Sequence, residues 1–235
     1  MIALQDILKQ LCDEEVQLSE ENSVVFAQAT IAGKPIHILG VKEATFLGVE
    51  QALLLAEKVI EIIESKSTAP VLLMADVAGQ QLAMRDEWLG MQQYFGHLLE
   101  CLECLRKQGN RLISLVYNQA IGGGFIAFGL MGDTILALPN AALAVMWLEG
   151  ISKVTKIELN ELEELSKTFP VFAPGVNNFY KLGGLHDIVE LAELAKKIAD
   201  EMAKEDTIDN RAALGNERGG RKLALPIIHE VMNYL

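Results

Sequence analysis

From Leu112 to Gly132 the chain carries no charged residue, and the run reads LISLVYNQAIGGGFIAFGLMG. Length alone would let such a stretch cross a bilayer. Its composition points elsewhere, because the start is rich in strand-forming residues and the middle holds Asn118, Gln119 and the triplet Gly122-Gly123-Gly124. The run is therefore expected to be a buried strand (112–117), a turn (118–123) and a short helix (124–131). Glycines let a backbone come close to a ligand, and the first amides of a helix lack intrahelical acceptors and carry partial positive charge. The arrangement suits the stabilisation of an oxyanion. On these residues alone, tight packing of helix on strand accounts for the glycines equally well. A phosphate loop fits less well, since no Gly-Lys-Ser/Thr follows and the spacing is not that of a dinucleotide fingerprint.

A second turn of the same kind is expected upstream. Val71 to Ala75 is a continuous apolar run of strand length, the mark of a strand buried on both faces, and it leads into Asp76-Val77-Ala78-Gly79-Gln80. A long helix should follow from about Met84 to Gln108, closed by Gly109-Asn110. Two neighbouring strand ends, each presenting an amide at Gly79 and at Gly122, Gly123 or Gly124, would form a two-donor oxyanion hole. Each donor of that kind contributes roughly 3 to 4 kcal/mol in a transition state.

Around this centre the pattern predicts an acidic amphipathic helix over residues 1–20 and a hairpin of strands 24–29 and 35–41 about Gly33-Lys34. A helix carries Ala52 to Ile63, strands occupy 134–138 and 142–146, and helices occupy 157–167 and 186–204. A polar mobile loop is expected over 207–221, before an apolar pattern resumes over 223–235 around Pro226. The sum is an α/β architecture of stacked strand–turn–helix units with a helical C-terminal part beyond about residue 150. No linker interrupts it, so one domain over 1–235 is expected.

Net charge is −12, against nucleic acid and against an anionic membrane surface, both of which need clustered Lys and Arg. Mean hydropathy is +0.24, so either a large core or a face covered by a partner is expected. Cys101 and Cys104 form a C-x-x-C inside a helical run, with no second pair to complete a metal site, and read as packed thiols. With Cys12 the count is odd, and the N-terminus carries acids rather than a basic leader. A reduced, cytoplasmic chain without metal or membrane span is expected.

The run from Gln119 to Met146 resembles the crotonase-fold carboxyltransferases, in particular the half that faces the carboxyl-bearing cofactor in biotin enzymes. Arg85-Asp-Glu-Trp-Leu-Gly90, Phe172-Ala-Pro-Gly-Val-Asn-Asn-Phe-Tyr-Lys-Leu-Gly-Gly-Leu-His-Asp187 and the short chain make it similar to the gamma subunits of biotin-independent malonate decarboxylases. The resemblance covers residues 70–190. It implies a ClpP/crotonase-type fold and a heterodimer with a homologous beta subunit. It also implies a malonyl thioester on a phosphopantetheine-bearing acyl carrier protein, or on coenzyme A, as the species decarboxylated, with no cofactor held by this chain. The hole carries over to Gly122 and Gly123 with support from Gly79. A triplet stands where a pair is usual, so the donor amide falls on one of two adjacent glycines.

Further candidates come from position. Gln80, Arg85, Asn118 and Gln119 are expected to meet substrate beside the hole, although Arg85 with Glu87 also fits a surface ion pair. Glu149, after a strand, fits an acid/base carboxylate or a structural charge. His97 and His186 read as satisfied histidines, and Asp133 as a local cap. Three activities stay open: a decarboxylase subunit, a component of a biotin-dependent acyl-CoA carboxyltransferase, and a scaffold without activity.

Overall fold

The computed structural model describes residues 1–205, 208–220 and 222–234. In chain order, helix α1 (Leu4–Leu11) leads to β1 (Ser19–Glu21), β2 (Val24–Ile31), β3 (Lys34–Val41), β4 (Thr45–Leu47) and α2 (Val49–Glu64). Strand β5 (Val71–Gln80), α3 (Met84–Leu89), α4 (Met91–Gln108), β6 (Leu112–Ile121), α5 (Gly122–Ala127), β7 (Thr134–Ala137) and β8 (Ala142–Ala144) follow. After α6 (Leu148–Thr155), α7 (Leu159–Thr168) and α8 (Val176–Lys181) the chain returns to the sheet with β9 (Asp187–Ile188) and ends in α9 (Leu194–Met202), α10 (Arg211–Glu217) and α11 (Ala224–Met232).

The sheet runs β1-β2-β3-β5-β6-β7-β9, antiparallel across β1-β2-β3 and parallel from β3 onward. Strands β2 and β3 close through a two-residue turn, since Ile31 pairs with Lys34 while Ala32 and Gly33 both take positive φ. The central strands are apolar along their length because both faces are covered. Val71, Leu73 and Ala75 of β5 join α2 and α4 in one core cluster, while Leu72 and Met74 join α1 and α9 in the other.

Two features aim the chain at the site. Ala75 pairs with Val116 and Val77 with Ala120, so between these pairs β6 has two more residues than β5. Tyr117, Asn118 and Gln119 occupy that bulge. Past it, the same two strands continue with new neighbours, β4 beside β5 and β8 beside β6.

This corrects the sequence reading in several places. No turn separates Val71–Ala75 from Gly79, nor Tyr117 from Gly122, because β4 and β8 supply backbone partners that keep both strands extended. The long helix breaks at Gly90, whose φ of +77° ends α3 and starts α4. Helix α1 stops at Leu11, its apolar face spent, and β1 follows. Residues 211–217 of the expected loop form α10, which Arg211 holds by donating to the Leu130 carbonyl. Thr207, Arg221 and Leu235, the limits of expected segments, lie outside the described residues. Helix α9 begins at Leu194 rather than near 186, where β9 pairs with β7 instead. Of the C-x-x-C pair, Cys101 is buried and Cys104 exposed, so only the first is a packed thiol.

Candidate active site at the ends of β5 and β6

The three glycines have three different surroundings. Ile121, still extended, is the N-cap of α5, and Gly122 takes φ +58°, a backbone conformation that a side chain would strain. Gly123 points its N–H at the Gln80 side chain, whose Oε1 accepts it at 2.9 Å. Gly124 is buried against β5: a Cβ there would stand 2.5 Å from the Gly79 carbonyl oxygen and 2.9 Å from Val77 Cγ1. One glycine turns the chain, one presents an amide, and one lets the helix lie on the neighbouring strand. The packing reading thus holds for Gly124, while the amide of Gly123 is bonded to Gln80.

Gly79, at φ +138°, lies across from this turn and joins Gln80 and Gly122 in lining a cavity of about 390 Å³. Phe46, Leu82, Ile121, Met146 and Trp147 make most of the remaining wall. Glu149, in the first turn of α6, is the one ionisable side chain in the lining among the described residues. A second cavity of about 510 Å³ shares Val145 and Met146 and extends toward Pro174 and Leu182 with an almost wholly apolar lining. The surface nearby is apolar as well, with Leu82 and Trp88 each 81% exposed and Val145 62%. A neutral donor at the end of an apolar trough can hold an anionic oxygen without supplying a counter-charge.

Gly79, Gln80, Gly122 and Gly123 therefore come together, with Gly124 directly behind them. The other expected contacts do not converge on the cavity. Arg85 is exposed and makes a surface ion pair at 2.9 Å, with Glu50 rather than Glu87 as its partner. Asn118 faces the N-terminal segment: its Oδ1 accepts from Ile2 N at 2.8 Å, and its Nδ2 donates to Ile2 O and to Asp76 Oδ2. It lines a different cavity with Asp76 and Tyr117. The bulge in β6 re-aims these side chains, which sequence spacing could not reveal. Gln119 is half-buried, its backbone in register with Ala142 of β8. Tyr117 donates to the Val41 carbonyl, and burial, reinforced by the Asp76 charge, raises its pKa.

The remaining candidates are structural. Asp133 accepts from Arg106 Nε at 2.6 Å and from Leu112 N at 2.8 Å, anchoring the start of β6. His186 Nδ1 accepts from Ile135 N, and burial lowers its pKa. His97 lies beside the Cys101 sulfur. Sequence reasoning passed over Phe46, Leu82 and Trp147, because β4 is three residues long and exposed apolar side chains have no periodicity to give them away. It also passed over Asp86, buried, whose Oδ1 caps α2 by accepting from Val49 N at 2.8 Å.

The family model described as malonate decarboxylase gamma subunit matches residues 42–234. The chain belongs to this family. A curated relative of this gamma subunit, the malonyl-S-ACP:biotin-protein carboxyltransferase MADD of Malonomonas rubra, is 36% identical over 202 residues, 77% of this chain and 69% of that protein. The chloroplastic acetyl-coenzyme A carboxylase carboxyl transferase subunit beta of Cucumis sativus is 24% identical over 171 residues. Those are 71% of this chain and 32% of that longer protein. Among solved structures, a chain of a Pseudomonas malonate decarboxylase hetero-tetramer in complex with coenzyme A superposes with a TM-score of 0.81 at 20% identity, covering 95% of the gamma subunit and 97% of that chain. The transcarboxylase 12S structure superposes at 0.71 and 20% identity, over 85% of this chain and 40% of that one. The fold is the crotonase-like carboxyltransferase fold. Among the described residues no helix is long and apolar enough to cross a membrane, and no three His, Cys, Asp or Glu side chains group as a metal site.

Proposed function

We propose that this malonate decarboxylase gamma subunit, as one crotonase-like domain paired with a homologous beta subunit, decarboxylates a malonyl thioester carried by an acyl carrier protein. The bond between the carboxylate carbon and the α-carbon breaks. Its electron pair moves into the thioester carbonyl to form an enolate, CO₂ leaves, and a proton added at the α-carbon gives the acetyl thioester. The partner's hole holds the thioester oxygen, where charge develops. The Gly123 N–H, with Gly122 and Gly79 around it, orients the carboxylate that departs.

The observation that carries this reading is the Gly123 N–H, held by the Gln80 side chain, beside a largely apolar cavity that Gly79, Gln80 and Gly122 line at the ends of two adjacent parallel strands. Negative charge leaves the carboxylate as CO₂ forms. A cation there would stabilise the ground state much more than the transition state, whereas neutral amides orient the group at a smaller penalty of the same kind. The apolar wall also strips water from the carboxylate, which favours loss of its charge. A chain of net charge −12 is poorly suited to hold the phosphates of a carrier arm, so the basic surface comes from the partner. The exposed apolar rim around Leu82, Trp88 and Val145 is the surface that such a partner would cover.

Co-expression tests the reading. The chain alone should release no CO₂ from malonyl-carrier protein, and the purified pair should release it. A pair that binds the malonyl thioester yet releases none would refute the proposal. A second reading, carboxyl transfer to biotin, is favoured by the 36% identity with MADD. Activity that avidin abolishes selects it, and avidin-resistant CO₂ release selects the first.

A further inference from the structure

The amide assigned above to the substrate is already occupied. Gln80 Oε1 lies 2.9 Å from Gly123 N, and it is also the nearest atom to the positions a Cβ would take on Gly122 and on Gly123, at 2.9 and 3.2 Å. The carboxamide thus covers both glycines from the last residue of β5, an adjacent strand, and is half-buried at the wall of the cavity. An sp² oxygen accepting from this amide is the geometry a carboxylate oxygen would adopt in the same place.

We infer that Gln80 is a resident competitor for the anion site, its carboxamide holding the Gly123 N–H until a substrate oxygen displaces it. This rests on the reading of the site given above. Left bare beside an apolar wall, the amide would lose hydrogen bonding in the empty state; Gln80 satisfies it with a neutral acceptor. A carboxylate accepts more strongly than a carboxamide, so the exchange favours anionic ligands over neutral carbonyls of the same shape. The exchange therefore favours charge although the wall has no cation among the described residues and includes the Glu149 carboxylate. Gln80 acts through Gly123 and is a positioning residue rather than a catalytic one.

The test is the steady-state behaviour of the co-purified pair on malonyl-coenzyme A. Gln80→Ala removes a competitor worth about 1 kcal/mol net, so KM should fall about fivefold and kcat/KM rise by the same factor. Gln80→Glu, similar in size, places a fixed carboxylate on the same amide and should raise KM more than about tenfold. Thermal melting checks that both variants fold. A purely structural Gln80 would raise KM or lower kcat on truncation. A KM that is unchanged or raised in Gln80→Ala, or unchanged in Gln80→Glu, overturns the competitor. If Gly123→Val retains full turnover in a folded pair, the site assignment fails, and the competitor with it.

Discussion

At Asp76 and Asn118 the two central strands meet the N-terminal segment, and the meeting is closed with side chains. Asn118 clamps both backbone groups of Ile2 and donates to Asp76, while Tyr117 reaches the Val41 carbonyl. A few residues further along the same strands, at Gly79–Gln80 and Gly122–Gly123, the finish is opposite: bare backbone, one carboxamide and an apolar wall. The first end uses its polar groups to hold the molecule together. The second leaves an amide whose partner is a single half-buried carboxamide, the one we propose a ligand displaces. Polar residues near a strand end are therefore no guide to a binding site until their partners are known.

The largest expected effect breaks or supports this contrast directly. Gly123→Val, which crowds the donor amide and misplaces the carboxylate it orients, should lower kcat of the pair by about a hundredfold or more while leaving the melting temperature near that of the unaltered chain. Normal turnover in that variant would contradict the assignment. Gly124→Ala should do the reverse kind of damage. Its methyl would overlap the Gly79 carbonyl, a backbone atom that cannot swing aside, and a stability loss of about 3 kcal/mol is expected, read as denaturant midpoint. Retained stability would mean that α5 can move off β5.

Asn118→Ala tests the closed end. It leaves Ile2 unclamped and removes a donor from Asp76, costing about 1–2 kcal/mol of stability, while CO₂ release per folded pair stays within about twofold. A large rate loss would return Asn118 to the site. The smallest effect concerns the sheet that both ends share. Burial lowers the pKa of His37 and of His186, so both favour the neutral form when folded. The unfolded chain then binds protons first as pH falls below 6.5, and stability present above that value is lost toward lower pH. Melting temperature should drop by about 2–4 °C between pH 7.5 and 5.5, about 1 kcal/mol for a chain of this size. A flat profile would show that neither histidine matters to the frame.

Much of the frame was legible in the residues. The apolar run at 71–75 predicts a strand covered on both faces and that at 112–117 a buried strand, and the two core clusters cover both. Gly33 marked a hairpin, and the stripe of Ala52, Leu55, Ala56, Val59 and Ile62 marked α2. In the candidate site, Gly79, Gln80 and Gly122 to Gly124 lie together, a grouping legible because glycines after an apolar strand have few local reasons to be there. Asn118 and Gln119 lie in the bulge of β6, where Asn118 turns to Ile2 and Asp76, and Arg85 on α3 pairs with Glu50; nearness in sequence does not bring these side chains to the cavity.

By itself, then, the order of residues determined which segments are buried and where the backbone is bare, because periodicity and glycine act locally. Tertiary structure decided that β4 and β8 hold β5 and β6 extended where turns were expected, since those backbone partners come from distant segments. It also decided which of three adjacent glycines offers its amide. That choice depends on Gln80, 43 residues earlier in the chain and one hydrogen bond away in space.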